Sequence, residues 1–221
     1  MRPLTDHHPK PLLKVAGKAL IEYHLEALAR ASIGCVVINT HWLAEQFPEQ
    51  LGDGSRWGLE IHYSHEPEVL ETAGGILNAL PLLGGDHEPF LVLNGDVYCE
   101  VMLSAWLREA SEWMESESSL AHLALISNPS HNPSGDFSFK KTHARQGLLQ
   151  SEKREVAYTF SGIALYRKEF FQGLECGKSA LGPLLRARAA ESQVTASVID
   201  DYWLDVGTPE RLATLDARLA K

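Results

Sequence analysis

Apolar positions along the chain fall into two alternating rhythms. From Ala19 to Ala31 (ALIEYHLEALARA), Leu20, Ile21, Tyr23, His24, Leu25 and Leu28 recur at helical spacing, which predicts an amphipathic helix. Cys35-Val36-Val37-Ile38-Asn39 follows as a short β-branched run of the kind found in buried strands. The spacing then predicts a helix over Leu43–Leu51, a turn at Gly52-Asp53-Gly54-Ser55, a strand over Leu59–Ser64 and a helix over Ala73–Leu83. A strand over Phe90–Leu93, a helix over Val101–Glu117 and a strand over Leu120–Ser127 continue the series. This βαβα rhythm predicts an open, largely parallel α/β sheet with helices on both faces.

The pattern loosens beyond Asn128. Up to Arg154 the chain is rich in Pro, Ser, Gly and charge, with a strand-like piece at Phe137-Ser138-Phe139. A strand over Tyr158–Tyr166, a helix over Ser179–Glu191, a strand over Val194–Ile199 and a closing helix from Pro209 follow. No linker composition separates the halves and no long repeat occurs. The chain therefore reads as one domain, residues 1–221, in which residues 128–157 form an irregular, antiparallel insertion over an open cleft.

Composition narrows the partners. The 221 residues are 44% hydrophobic and 22% charged, which excludes a disordered or fibrous chain. With 20 basic and 29 acidic side chains the net charge is −9, which argues against nucleic acid as the main partner. No apolar run approaches the ~20 residues needed to cross a bilayer, and the start Met1-Arg2-Pro3-Leu4-Thr5 has no export segment. Three scattered cysteines, Cys35, Cys99 and Cys176, suit the reducing cytoplasm.

Two acids carry the strongest chemical signal. Asn94-Gly95-Asp96 ends an apolar strand, the place where open α/β sheets bind ligands, and Gly95 admits a close backbone approach. Asp205, in Trp203-Leu204-Asp205-Val206-Gly207-Thr208-Pro209, ends another. Two such carboxylates from distant parts of the chain suit one Mg²⁺ ion, which takes one or two carboxylates plus phosphate oxygens. Turn capping is the alternative role for each. Lys10, between Pro9 and Pro11, is expected in an extended backbone that presents its ammonium to a phosphate; an exposed loop lysine is the alternative. Glu71-Thr72-Ala73-Gly74-Gly75 opens a helix whose small residues leave N–H groups free for a ligand, or form a plain glycine-rich start. Gly173-Leu174-Glu175-Cys176-Gly177-Lys178-Ser179 is one residue short of a phosphate-binding P-loop, and its loop geometry depends on that length.

Arg2-Pro3-Leu4-Thr5, Pro9-Lys10-Pro11-Leu12, Val15-Ala16-Gly17, Asn94-Gly95-Asp96 and Trp203-Leu204-Asp205-Val206-Gly207-Thr208 stand in one order along nearly the whole chain. In this the sequence resembles the sugar-1-phosphate nucleotidyltransferases. The resemblance implies a Rossmann-like mixed sheet of the nucleotide-diphospho-sugar transferase type. It implies transfer of a nucleotidyl group from a nucleoside triphosphate to a sugar 1-phosphate, with release of pyrophosphate. His41-Trp42-Leu43, the stretch Leu51–Gly58, Glu71–Gly75 and Thr159–Ile163 look most like the branch that uses UTP and N-acetylmuramate 1-phosphate in peptidoglycan recycling. Enzymes that guanylylate mannose 1-phosphate, or act on glucose 1-phosphate, share many of these motifs, and a non-catalytic sugar-nucleotide binding module is a further alternative.

Roles follow from the resemblance residue by residue. Asp96 and Asp205 hold Mg²⁺, and Lys10 offsets phosphate charge. Glu71, Thr72, Gly74, Gly75 and Gly95 lie against the nucleotide. Asn94, Gly135, Asp136, Glu152, Ser161 and Gly162 face the sugar. The family's first strand, glycine-rich loop and catalytic arginine align ahead of Met1, and the expectation is that the start was assigned at an internal methionine.

Overall fold

The computed structural model describes residues 1–84, 89–143, 145–152 and 154–220. Its centre is a six-stranded sheet of β5 (Phe90–Leu93), β7 (Ala121–Ile126), β8 (Phe139–His143), β9 (Gln146–Leu149), β10 (Thr159–Tyr166) and β11 (Val194–Val198), in the spatial order β5-β10-β7-β11-β9-β8. Alternation along the strands sends side chains to both faces. Leu123, Leu125, Ala164 and Tyr166 face one cluster with Leu181, Leu185 and Ala189 of α5 (Leu181–Ala190). Ala124, Ile126, Ile163 and Leu165 face the other, with Trp106, Ala110 and Met114 of α4 (Leu103–Ser116). Helices thus cover both faces, and every residue of β7 is buried.

The pairing is more antiparallel than expected. Within this sheet only β7 and β11 run parallel; β5–β10, β10–β7, β11–β9 and β8–β9 are antiparallel. The reason is topological. The late strand β10 inserts between β5 and β7, which the βα rhythm had set side by side, and local periodicity carries no information about such an insertion. The β8–β9 hairpin, from the stretch expected as an insertion, joins the sheet through β9 on β11.

Smaller sheets surround this centre. β3 (Cys35–Thr40) and β4 (Glu60–His65) pair in parallel and pack on α1 (Leu20–Arg30) and α2 (Gln46–Leu51). Ala19 donates its N–H to the Glu22 carboxylate at 2.8 Å and so closes the start of α1. α2 begins later than Leu43, which has φ +51°, and Pro48 sits in its first turn, where a missing N–H costs no helical bond. β1 (Lys14–Val15) and β2 (Lys18–Ala19) form a short hairpin. β6 (Val97–Cys99) pairs antiparallel with β12 (Trp203–Asp205), and α6 (Pro209–Leu219) leaves from β12's end. Among the described residues β3 pairs only with β4, and β5 only with β10, although Val36, Leu91 and Leu93 pack against the same cluster.

Candidate active site

The turn Asn94-Gly95-Asp96 joins the carboxyl end of β5 to β6 and is gripped on several sides. Asn94 donates its N–H to the Gly162 carbonyl at 2.9 Å. Val206 donates to the Asp96 carbonyl at 2.9 Å, one rung beyond the Asp205–Val97 pair of the β6–β12 ladder. That ladder fixes the two acids at neighbouring positions on one edge, although they come from distant parts of the sequence. The ring of Pro11 lies over Gly95, where an added Cβ would be 3.3 Å from its Cγ. The close approach that Gly95 permits is thus made by Pro11.

Each acid holds a basic partner. Lys10 Nζ lies 2.7 Å from Asp96 Oδ2, both side chains partly exposed. Lys10 is not extended as expected but begins a 3₁₀ turn, Lys10–Leu12, closed by the Leu12 N–H on the Pro9 carbonyl and the Leu13 N–H on the Lys10 carbonyl. These bonds and the ion pair outweigh the steric preference that Pro11 imposes. Arg211, in the first turn of α6, donates Nη1–H to Asp205 Oδ2 at 2.8 Å. It folds back over Gly207, where a Cβ would stand 2.5 Å from Nη2. Thr208 caps the helix by accepting the Arg211 N–H, and Pro209 occupies its first position. His131 Nε2 lies 3.7 Å from Asp205 Oδ2, and its ring stacks on Trp203 at 6.3 Å and 17°. Among the described residues neither Asp96 Oδ1 nor Asp205 Oδ1 enters an ion pair.

The residues aligned with the sugar side divide. Gly162, at φ +80°, forms a bulge in β10 where Asn94 packs so closely that a Cβ would be 2.7 Å from its side chain. Ser161 is buried; its hydroxyl donates to the Ala124 carbonyl at 2.7 Å and its carbonyl accepts the Trp203 indole N–H at 2.8 Å. Its polar atoms are committed to the bulge. Asp136 accepts from the Asn132 amide at 3.0 Å and the Phe160 N–H at 2.9 Å. Gly135, at φ +61°, leaves a Cβ only 2.6 Å from Asn128 Oδ1 and 2.9 Å from the Tyr158 backbone. Glu152 is exposed.

The residues aligned with the nucleotide form a second centre at the start of α3 (Glu71–Ala79). The amides of Ala73 and Gly74, expected to be free, both donate to the Ser179 carbonyl, at 3.0 and 3.1 Å. Gly74 is pressed so tightly on the Gly177 carbonyl that a Cβ would overlap it at 2.2 Å. The near-miss P-loop therefore serves as the cap of α3. Gly75 leaves room for the buried Glu66, which accepts from Asn39 at 3.1 Å and from the Leu70 N–H at 3.2 Å. Glu71 and Thr72 remain exposed; Glu71 has φ +58° and pairs with Lys178 at 3.3 Å.

The structure thus unites Lys10, Asn94, Gly95, Asp96, Asp205, Ser161 and Gly162, while Glu71–Gly75 make their contacts with Glu66, Gly177, Lys178 and Ser179. Sequence reasoning missed Arg211, His131, Trp203 and Ser179. Arg211 had a local signal, lying in the first turn of a well-capped helix that starts beside Asp205. His131 had none, because only the fold brings Asn128–Asp136 over β12.

The family described as Nucleotidyl transferase matches residues 1–221. The N-acetylmuramate alpha-1-phosphate uridylyltransferase of Neisseria meningitidis serogroup B is 48% identical over 219 residues, covering 98% of this chain and 92% of that protein. The protein of the same name from Caulobacter vibrioides is 31% identical over 229 residues, covering 100% of this chain and 92% of its own length. A solved UDP-glucose pyrophosphorylase, complexed with UDP-glucose, superposes with a TM-score of 0.79 over 99% of this chain and 93% of that one; at 16% identity it shares the fold.

Proposed function

The chain belongs to the nucleotidyl transferase family, and on that premise we propose that it transfers uridylyl from UTP to N-acetylmuramate 1-phosphate, releasing pyrophosphate. The observation that carries this reading is the β6–β12 ladder, which sets Asp96 and Asp205 on adjacent rungs beside Lys10 and Arg211. A phosphate oxygen of the sugar 1-phosphate forms a bond to the α-phosphorus as the bond to the β-phosphate oxygen breaks, and the electron pair leaves with pyrophosphate. Positioning and charge neutralisation supply such catalysis, with no covalent enzyme intermediate.

The donor set fits Mg²⁺. No cluster of three or more His, Cys, Asp or Glu side chains able to hold a metal occurs among the described residues. Mg²⁺ asks for fewer, since it keeps waters and binds through one or two carboxylates plus substrate phosphates. Asp96 and Asp205 would hold it through their partly exposed oxygens, where it would neutralise charge between the phosphates. Lys10 and Arg211 neutralise the two acids in this structure, and on binding they would turn toward phosphate oxygens. This local balance allows a chain of net charge −9 to accept two anionic substrates.

Glu71 and Thr72 line the nucleotide side of this reading, and Asn94, Gly135, Asp136 and Glu152 the sugar side. In this proposal the described residues form a single domain. UTP supply places the enzyme in the cytoplasm, in peptidoglycan recycling. No helix is long and apolar enough to cross a membrane among the described residues.

Pyrophosphate release tests the assignment. UTP with N-acetylmuramate 1-phosphate is expected to exceed UTP with glucose 1-phosphate, and GTP with mannose 1-phosphate, by at least about tenfold in kcat/KM. A preference for GTP and mannose 1-phosphate would reassign the substrates. Binding of sugar nucleotide with no pyrophosphate from any pair would make the chain a binding module.

A further inference from the structure

His131 stands over β12, and the mechanism has no use for it so far. Its ring lies along the indole of Trp203, with centroids 6.3 Å apart and planes at 17°. Trp203 and Asp205 are two residues apart on β12 and so project to the same side of the strand. The imidazole thus reaches along the indole to the carboxylate, and its Nε2 lies 3.7 Å from Asp205 Oδ2. The indole itself is anchored. Its N–H is donated to the Ser161 carbonyl at 2.8 Å, beside the Gly162 position on which Asn94 packs.

The loop that carries His131 is tied down on both sides of it. Asn128 donates to the Pro133 and Ala157 carbonyls at 3.2 and 3.0 Å, and accepts from the Thr159 hydroxyl at 3.0 Å. Asn132, the next residue, donates its side-chain amide to Asp136 Oδ1 at 3.0 Å and to Thr159 Oγ1 at 3.1 Å. Its backbone N–H meets the Pro129 carbonyl at 2.9 Å. The exposed imidazole is therefore set in place before anything binds.

Asp205 Oδ2 then has two neighbours that differ in freedom. Arg211 reaches it at 2.8 Å on a long side chain, and His131 faces it from a stacked ring on a fixed loop. If Arg211 turns to a substrate phosphate, Oδ2 loses its hydrogen bond, and the terminal torsion of an aspartate is broad and soft. A second, immobile donor would hold that torsion. At 3.7 Å His131 is just beyond hydrogen-bond range while Arg211 occupies the oxygen.

We propose that His131 is a positioning residue: when Arg211 leaves Asp205, the Nε2–H of the stacked imidazole takes over Oδ2 and keeps Oδ1 aimed at the divalent cation. This rests on the nucleotidyl-transfer reading of the site. No change of protonation is required, because Nε2 carries a hydrogen in the charged ring and in one neutral tautomer. Outer partners of metal ligands act in this way, and their substitution commonly costs 10–100-fold in metal affinity or activity.

The test compares the full chain with H131F, which keeps a ring on Trp203 and removes the donor, and with H131Q, which keeps a donor. Mn²⁺ affinity, read by electron paramagnetic resonance with the metal alone, should fall by about tenfold in H131F and recover in part in H131Q. The melting temperature of H131F should stay within about 2 °C of the parent, because a partly exposed pair contributes little to folding. In turnover, kcat should fall by about tenfold with the KM for UTP within about threefold. In a D205N background, adding H131F should change neither Mn²⁺ affinity nor residual kcat by more than about twofold, since the group it places is already disabled. Parental Mn²⁺ affinity in H131F, no Mn²⁺ binding by the parent, or a full H131F loss in the D205N background would each overturn the proposal; the last would mean that His131 acts independently of Asp205. A parent that binds Mn²⁺ and releases no pyrophosphate would refute the functional reading, while the Mn²⁺ comparisons still decide the part of His131. Should H131F not fold, H131A at the same exposed position gives the same readouts.

Discussion

The dipeptide Gly-Asp occurs at Gly95-Asp96 and again at Gly135-Asp136, and the fold uses the two in opposite ways. At Asp136 both carboxylate oxygens are occupied, one by the Asn132 amide and one by the Phe160 N–H, so the side chain ties the loop to β10. Gly135 there is required by backbone geometry, at φ +61° and against the Tyr158 backbone. At Asp96 one oxygen meets the ammonium of Lys10, a point charge on a flexible stem, and the carboxyl stays 39% exposed. A carboxylate held by fixed amides is structure. A carboxylate neutralised by a displaceable cation is available for chemistry.

The largest expected effect separates the two directly. D96N and D205N remove charge without removing volume, and each should lower turnover by about 10³-fold or more, since neutralising phosphate charge supplies several kcal/mol. Their melting temperatures should stay within a few degrees of the parent, because partly exposed ion pairs contribute little to folding. Steady-state pyrophosphate release with thermal melts checks both halves. Retained activity in D205N would remove that acid from the cation site.

A smaller loss is expected at the partner cation. K10M keeps the stem over the turn and discards the charge, so kcat should fall by about 10²-fold, as for removal of one group that stabilises developing charge. K10R should restore only part of it, because the planar guanidinium does not replace a compact ammonium beside Asp96. A K10M enzyme with parental kcat would leave Lys10 as a counter-ion to Asp96 alone.

Asp136 should show the reverse profile. D136N can accept one of the two hydrogen bonds and must lose the other, at about 1.5–3 kcal/mol for a bond to a charged group. For a chain of this length that is a drop of about 3–12 °C in Tm. Its kcat should remain within about fivefold of the parent. A D136N protein that melts like the parent but turns over a hundredfold more slowly would put Asp136 beside Asp96 as a functional acid.

This contrast explains what could be read before the fold was known. Strands such as Phe90–Leu93 and Leu120–Ser127 were legible because burial on both faces demands unbroken apolar runs. Asp96 and Asp205 were legible because an acid directly after such a run sits at the rim where sheets bind ligands. The insertion of β10 between β5 and β7 was not, since strand order is settled by packing between distant segments. Asp136 looked like Asp96 in the sequence, and only its partners, Asn132 and the Phe160 amide, distinguish them. The amides of Ala73 and Gly74 looked free because Ser179, their acceptor, arrives from the far half of the chain.

The smallest effect concerns a polar group that never meets solvent, and it extends the comparison into the sheet. His122, on β7, sets Nδ1 against Thr195 Oγ1 and Nε2 against Ser197 Oγ, both at 2.9 Å across the parallel pair with β11. Burial pushes its pKa down to about 3 from an ordinary 6.5, so the folded chain keeps it neutral where the unfolded chain protonates it. Between about pH 6.5 and 3 the unfolded state therefore binds one more proton at this site, and stability falls as pH falls through that window. The contribution is at most about 1.4 kcal/mol per pH unit, and it vanishes above pH 6.5. Buried His24 is pushed down for the same reason and adds to the slope of the parent, so the comparison needs a variant that changes His122 alone. Urea unfolding of the parent and of H122Q at pH 7.5 and 5.5 should show a stability difference between them that changes by about 1.4 kcal/mol in favour of H122Q at the lower pH. A difference that stays constant across that interval would mean that His122 accepts its proton within the folded sheet, and that a network with both ring nitrogens engaged can still take one up.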